Sequence, residues 1–598
     1  VSTTRESPTV PATATRTGSG TTSLPTRSPG PSWARVPPRW RAPAVVLLAM
    51  VVAGVLHLLW WRFMAGNGGD IAAQDAWAEF ARKHPGSAYN LGWYGGMHPI
   101  SYSVLSPYVM AALGVRLTMV IAGTISAGLL AWLLVGRIGQ AHRWQPAVYG
   151  AVALVGNAIS GRVTFALGTM FGLAALCVVF AWPWPAARTR WRWVRGVLAA
   201  LCSGLATAMS PVAGLFLGVI AAACWLQRRR AAALAIGLPP VVVVAVSTLL
   251  FPFEGWQPMS WNSTILPIAT GLGVVLLVPA GWHVVRMAGA LYVVAVVLAW
   301  AVPSPIGSNI TRLGLLFGGV ALVAAATVEI RSSLAARRLG ERAAQVLLIL
   351  ALATATTWQV STVARDSANS ALPEAVTRDI DPLLAQLAAR GADRARVEVV
   401  PTHNHSESTM IAPHVPLARG WNRQADARRN PIFYGDRPLT RQSYRRWLHR
   451  WAVAYVVLST GKPDPAAEDE AALVAGGLPY LRRVWADSAW TLYAVRKPTP
   501  LVSEPGRVLA YDAAQLTITT PRAARITIRI ADSPWLSLVD ETGEALPADA
   551  GACLTHLSAD LPEDSPPPPD DWLVLDAPGA GTYRIAAPYK LPRGTACP

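Results

Sequence analysis

Residues 43–360 contain eleven apolar runs separated by short connectors, and only a bilayer can solvate so many of them in succession. They lie at Pro43 to Trp61, 104–136, 146–159, 163–182, 196–208, 211–226, 231–250, 263–281, 285–302, 312–329 and 343–360. Taken as crossings, they predict a polytopic α-helical membrane protein with about eleven spans. The pair at 196–208 and 211–226, broken by Ser210-Pro211, reads either as two short helices or as one re-entrant unit. Composition agrees with a membrane chain: 52% of the 598 residues are hydrophobic and 14% charged, where a soluble domain carries about a quarter charged residues.

The distribution of arginine predicts the orientation. Alternate connectors hold Arg137 and Arg143; Arg188, Arg190, Arg192 and Arg195; Arg228, Arg229 and Arg230; Arg286; and Arg331, Arg337, Arg338 and Arg342, while the intervening connectors are nearly free of basic residues. By the positive-inside rule the arginine-bearing connectors face the cytoplasm, as does the end preceded by Arg35, Arg39 and Arg41. Residues 1–42, rich in Ser, Thr, Pro, Gly and Arg, read as a disordered basic cytoplasmic tail, and Pro43 to Trp61 as a first, uncleaved span. An odd number of spans then places everything after residue 360 outside. The net charge of +18 sits in the tail and the connectors, a pattern of membrane orientation and headgroup contact that argues against a nucleic-acid partner.

Two outer modules are expected. Residues 361–504 mix helical spacing (ALPEAVTRDIDPLLAQLAAR) with buried-strand runs (RVEVVP, WAVAYVVLS), an α/β layout. Residues 505–598 alternate with period two in QLTITT, ARITIRI, WLSLVD, WLVLDA and TYRIAA, as in a small β-sandwich with SPPPPDD at 565–571 as a surface loop. Cys553 and Cys597 lie there, where a disulfide requires an oxidising side of the membrane. Cys177, Cys202 and Cys224 sit in apolar runs as small hydrophobes.

The connector after the first span, Gly66 to Pro107, carries more chemistry than a link needs: Asp70, Asp75, Glu79, His84, His98 and a cluster of Trp, Tyr and Gly. Asp70 follows Gly68-Gly69, where a carboxylate serves either as a general base toward a hydroxyl or as the N-cap of IAAQDAWAEFARK. Asp75 and Glu79 fall four apart on one helical face. His98 reads as a substrate or metal ligand, or as a structural loop residue. Trp93, Tyr94, Tyr102 and Tyr108 suit either an interfacial aromatic belt or sugar stacking. A second outer loop, FPFEGWQPMSW at 251–261, offers Glu254.

Two arginines break the charge rule on the outer side. Arg162 follows Asn157 and Ser160, Arg312 follows Ser308 and Asn309, and Arg116 stands near the same surface. Guanidiniums at membrane depth face a cavity or a partner, and converging ones grip a phosphate or diphosphate bidentately; the alternative is snorkelling. In THNHSES at 402–408, His403, His405 and Glu407 would share one face of a strand, as metal ligands do. The following LARGWNRQADARRNPIFYG reads as a solvated surface or an acceptor-binding loop.

A first span, a long outer loop opening with an acid, many further spans and an outer C-terminal region resemble the GT-C superfamily of membrane glycosyltransferases. GGDIAAQDAWAEF and YNLGWYGGMHPISYSVLSPY look like the first loop of its actinobacterial members. The resemblance implies a transmembrane domain over 43–360 with a catalytic loop at 65–103, a polyprenyl-phosphate sugar donor, and a cell-envelope glycan or lipid acceptor at the outer face. It implies Asp70 as the catalytic acid position, with Asp75 as the fallback. The paired Asp-Asp or Glu-x-Asp of several members is absent. No cofactor is required on this reading, and a divalent cation is allowed. Arg162, Arg312, Asn309 and Arg116 would hold the donor phosphate, and His98, Trp93, Tyr94, Tyr102 and Glu254 the substrates. A transporter or flippase of a lipid-linked or polar substrate, and a non-catalytic scaffold of the same fold, are the other classes this sequence allows.

Overall fold

The computed structural model describes residues 38–597 apart from Asn67, 139–143, 182–188, Glu254, Glu329, 371–379, Asp436, 548–550, 561–569 and 591–594. The basic tail before residue 38, Glu254 and most of the SPPPPDD loop lie outside the described residues.

Every apolar run is helical. The helices are α1 (Pro38–Phe63), α2 (Asp70–Lys83), α3 (Ser106–Leu113), α4 (Val115–Ile138), α5 (Gln145–Ile159), α6 (Val163–Phe180), α7 (Thr189–Met209), α8 (Pro211–Leu226), α9 (Arg230–Leu250), α10 (Asn262–Leu277) and α11 (His283–Ala301). The helical stretch α12 (Gly307–Ala326) and the long α13 (Glu341–Ser370) complete the set. Among the described residues, seven of these helices are long and apolar enough to cross a membrane, and α8 and α10 are shorter apolar helices. The run 104–136, read as one segment, is two helices, because Gly114 takes φ +83° and ends α3. Ser210-Pro211 likewise separates two helices: Ser210 is extended, and Pro211 opens α8, where its missing N–H costs nothing.

The helices pack in sequence-local groups, α1 on α4 and α5, α6 on α4 and α7, α8 on α9, and α10 on α11 and α13. Small residues allow close approach. Gly123 of α4 lies against the fully buried ring of His57 on α1, whose Nδ1 is 2.7 Å from the Ala53 carbonyl, and a Cβ at Gly123 would overlap that ring. Gly123→Val is expected to destabilise the helical domain by about 1–3 kcal/mol, read as a lower thermal midpoint in detergent. An unchanged midpoint would remove this contact from the account.

The region after residue 380 holds two sheet modules. In the first, β1 (Arg396–Val399) pairs parallel with β2 (Val453–Ser459), which pairs antiparallel with β4 (Trp490–Val495), and β3 (Leu481–Ala486) closes the order β1-β2-β4-β3. In the second, the sheet β5-β6-β11-β8 (Arg507–Tyr511, Gln515–Thr520, Gly581–Ala586, Ser537–Val539) faces β7-β10-β9 (Ala524–Ala531, Trp572–Ala577, Cys553–His556). Their alternating residues Leu516, Ile518, Ile526, Ile528, Leu573 and Leu575 are buried in one core, the period-two pattern turned inward. A disulfide joins Cys553 to Cys597.

The first loop ties these modules together. The Ala88 N–H donates to the Ala587 carbonyl and the Leu91 N–H to Ala513, both in the sandwich, while the Leu417 N–H of the α/β module donates to the Gly92 carbonyl. Tyr89 and Leu91 enter the sandwich core, and Trp93, Tyr94 and Met97 enter the α/β core. Trp93 and Tyr94 are therefore interior residues of the α/β module, and an aromatic belt at the membrane surface is not what they form.

Candidate active site

The loop's chemistry is set by its first turn. Gly69, with φ +64°, caps α2, so Asp70 is the first helical residue and not the cap itself. A side chain is excluded at Gly68 and Gly69, where a Cβ would come within 2.6 Å of the Ser370 carbonyl and of its Oγ. This close passage against the end of α13 aims Asp70 into the bundle, with the positive end of the α2 dipole behind its carboxylate.

Asp70 Oδ2 lies 3.3 Å from Arg162 Nε, and Arg162 Nη2 lies 3.3 Å from Asp366 Oδ2. Ser160 Oγ donates to the same Asp366 oxygen, and Asn157 Nδ2 donates to the Arg162 carbonyl. The three charged side chains stay 20–35% exposed, so the chain of ion pairs remains open to a ligand. Gln74, one turn along α2, donates to Tyr102 Oη. Burial, with the nearby Asp70 charge adding to it, pushes the Tyr102 phenol above its usual range. Tyr102 therefore stands beside Asp70 as a neutral hydroxyl.

Arg312 completes the group from α12. Its charge interacts with Arg162, Asp70, Tyr102 and Asp366, and its guanidinium sits 5.4 Å from the Phe165 ring. Among the described residues this guanidinium makes no hydrogen bond or ion pair. The five residues after Leu313, Gly314–Gly318, form a π-turn, a local widening often found where a helix serves a site. Arg162 and Arg312 line one cleft with Asn157, Ser160, Gln359 and Thr362, in which Gln359 Oε1 and Thr362 Oγ1 are buried without hydrogen-bond partners among the described residues. Leu313, Gly314 and Phe317, on the next turns of α12, line a largely apolar cavity of about 610 Å³ that extends through the helices to Arg229 and His283.

The structure thus brings Asp70, Arg162, Arg312 and Tyr102 together. It does not bring the other expected residues to them. Asp75 pairs with Arg116, which also donates to the Gly66 carbonyl at 3.0 Å, so both are engaged elsewhere. Burial raises the Asp75 carboxyl against the opposing pull of Arg116. Asn309 turns its amide toward the Pro305 carbonyl. His98 is buried between the Tyr89 and Phe251 rings, with Nδ1 3.0 Å from the Ala88 carbonyl and Nε2 3.3 Å from Ser533 Oγ; both ring nitrogens serve packing against the sandwich. Trp93 packs edge-on against Trp77, and Tyr94 Oη donates to the Gly420 carbonyl at 2.6 Å, so neither ring is open to a sugar.

The THNHSES segment is a turn leading into the short helix Glu407–Met410 and not a strand, which separates its histidines. His403 Nε2 faces Asn369 Oδ1 at 2.8 Å, whereas His405 lies between Glu407 Oε1 (3.1 Å) and Asp464 Oδ2 (3.2 Å). No group of three His, Cys, Asp or Glu side chains suited to a metal occurs among the described residues. The arginine-rich segment that follows is largely interior: Arg419 is 2% exposed between Glu398 and Glu470. Asp366 is not among the residues the sequence points to, because it lies beyond the last apolar run. An acid six residues past that run, on the side assigned as outer, was the available signal.

Residues 503–598 match a family described as a domain of unknown function (DUF8823). No curated protein matches the chain. Among solved structures, the chain is similar to an oligosaccharyltransferase of Archaeoglobus fulgidus tethered to an acceptor peptide, at 10% identity and a TM-score of 0.43, covering 77% of this chain and 74% of that one. It is similar to the mycobacterial arabinofuranosyltransferase AftD at 13% identity and a TM-score of 0.38, covering 94% of this chain and 60% of that one. A third, the A. fulgidus oligosaccharyltransferase AglB with an inhibitory peptide and a dolichol-phosphate, gives 11% identity, a TM-score of 0.41 and coverages of 70% and 69%.

Proposed function

We propose that this chain is a GT-C-type membrane glycosyltransferase that moves a sugar from a polyprenyl-phosphate donor to a hydroxyl of a cell-envelope glycan or lipid at the outer face. The observation that carries this reading is the Arg312 guanidinium, without a hydrogen bond or ion pair among the described residues, beside Arg162 and Asp70 and one residue before Leu313, which lines a 610 Å³ apolar cavity. An anion joined to a long apolar tail suits both parts at once. A phosphate would lie between Arg162 and Arg312, with the isoprenoid chain entering the cavity past Leu313 and Phe317.

In the reaction, Asp70 takes the proton of the acceptor hydroxyl as its oxygen attacks the anomeric carbon. The bond from that carbon to the phosphate oxygen breaks, with inversion. Negative charge grows on the departing lipid phosphate, and the two guanidiniums stabilise it. The Cys553–Cys597 disulfide supports an oxidising, extracytoplasmic location for the sheet modules.

Purified protein supplied with a radiolabelled polyprenyl-phosphate sugar in proteoliposomes tests the assignment, and label in an acceptor is the expected result. The cavity's reach to Arg229 and His283 favours a second reading, a lipid-phosphate flippase; vectorial movement without transfer would establish it in place of the first. Arg312→Ala is expected to weaken binding of the polyprenyl phosphate about 10- to 100-fold, the loss of a charge-assisted contact. Unchanged affinity would remove Arg312 from the phosphate site.

A further inference from the structure

Both backbone polar groups of Gly69, the residue that caps α2 and precedes Asp70, bond to the outer α/β module, the carbonyl also accepting from the Ala72 N–H of α2 at 3.1 Å. Its N–H donates to the Asn404 carbonyl at 2.7 Å, and its carbonyl accepts from Trp421 Nε1 at 2.9 Å. Asp70 is thus one peptide away from an indole that belongs to another part of the chain. The indole is itself fixed. The His405 ring stacks on it with centroids 3.6 Å apart and planes at 11°. His405 has left-handed backbone (φ +54°), is 6% exposed, and is held at both nitrogens by Glu407 and Asp464. Arg423 binds Asp464 at 2.7 and 3.2 Å.

We infer that Trp421 is a positioning residue for Asp70, and that the His405–Glu407–Asp464 group serves the site by holding the Trp421 ring in place. The inference rests on the proposed role of Asp70 and extends it, since it makes the outer module part of the machinery that aims the carboxylate. The remaining bonds around Gly69 agree with this. Ser370, which excludes a side chain at Gly68 and Gly69, also donates its hydroxyl to the Asp366 carbonyl, so the strap carrying Asp70 is held between the end of α13 and the outer module. A near-attack geometry is sensitive to displacements of about 1 Å, and one hydrogen bond at the hinge of a helix is enough to set such a displacement.

The charged and titratable groups facing His405 are Glu407, Asp464 and Arg423, with Tyr94, Arg419, Asp426 and Tyr434 lining the same cleft. Burial alone would lower the imidazole, but its bonds to Asp464 and Glu407 outweigh burial and raise it. Raised in this way, the imidazole favours its protonated form, which presents a cation to the indole face. That contribution is complete below the imidazole's ordinary range and is lost as pH rises through the raised value.

The full-length protein in proteoliposomes carries the test. Trp421→Phe keeps an aromatic ring against His405 and removes the N–H. It is expected to lower kcat of sugar transfer roughly tenfold or more, with affinity for polyprenyl phosphate unchanged. His405→Gln is expected to lower kcat in the same direction and to abolish the fall in kcat on the alkaline side. A second readout does not depend on transfer. With Cys177, Cys202 and Cys224 replaced by Ala, Asp70→Cys is alkylated by a water-soluble maleimide, and adding either Trp421→Phe or His405→Gln is expected to change that rate several-fold. Unchanged kcat in Trp421→Phe, or an unchanged alkylation rate in both double variants, overturns the inference. If the wild-type chain transfers no sugar, the functional reading fails, and the alkylation rates alone decide whether Trp421 positions residue 70.

Discussion

Asp70→Asn is expected to reduce sugar transfer by about 10³-fold while leaving the affinity for polyprenyl phosphate nearly intact. The size follows from removing a general base that acts in the transition state, a contribution of about 10²- to 10⁴-fold. The amide is nearly isosteric with the carboxylate, so the first turn of α2 keeps its shape and the Gly68-Gly69 passage is undisturbed. Arg162 also keeps its second partner, Asp366, 3.3 Å away, and therefore stays in the cleft beside Arg312. Single-turnover transfer, paired with equilibrium binding of the unglycosylated lipid phosphate, separates the two effects. Transfer within about tenfold of wild type would show that another group accepts the proton. Weakened lipid binding with an intact rate would recast Asp70 as a brace for Arg162.

The largest stability effect is expected at Arg419. Its side chain is 2% exposed, donates twice to Glu398 Oε1 at 2.9 and 2.7 Å, donates to Glu470, and stacks 3.8 Å from the Phe433 ring. Asp426 lies 3.9 Å away, and Tyr444 Oη donates to Glu470 at 2.9 Å. Arg419→Met leaves these carboxylates buried without their cation, and removing one partner of such a group costs about 3–5 kcal/mol. Burial already holds the Glu398 and Glu470 carboxyls above their usual range, and loss of the cation raises them further. A carboxyl raised on folding binds more protons in the native state, so its contribution is fullest at low pH and is lost as pH rises through the raised value. The deficit of Arg419→Met is therefore expected to be largest near neutral pH and smaller near pH 5, by thermal unfolding of the full chain at both. A loss under about 1 kcal/mol at neutral pH would place the pair among those that only break even.

Much of the helical architecture was legible in the chain. The apolar runs became helices because each is predominantly apolar, with charges such as Arg116, Arg286 and Arg312 near the helix ends, and a helix is the conformation that satisfies its own backbone in lipid. The strands of the sandwich were legible for a related reason: strict alternation leaves one face apolar, and a pleated sheet is the geometry that buries it. The aromatic loop was misread on the same evidence. Trp93, Tyr94 and His98 have the composition of an interfacial or sugar-stacking surface, yet they pack into the two sheet modules roughly 300 residues downstream. Nothing local separates an aromatic that stacks on a ligand from one that stacks on Trp77. Arg116 was grouped with Arg162 and Arg312 because all three stand at helix ends on one side, and only the packing of α2 on α4 gives it Asp75 instead.

The sequence by itself determined that this chain carries a series of helices apolar enough for a membrane, and that an acid and two arginines stand near their ends on one side. Hydrophobic periodicity and charge carry that information, because both act through solvent and need no knowledge of partners. Tertiary structure alone decided that Asp70 meets Arg162, that Asp366 joins them from 296 residues away, and that Trp421 holds the strap on which Asp70 stands. Those pairings depend on distances of about 3 Å between residues remote in sequence, which no local pattern of residue types can encode.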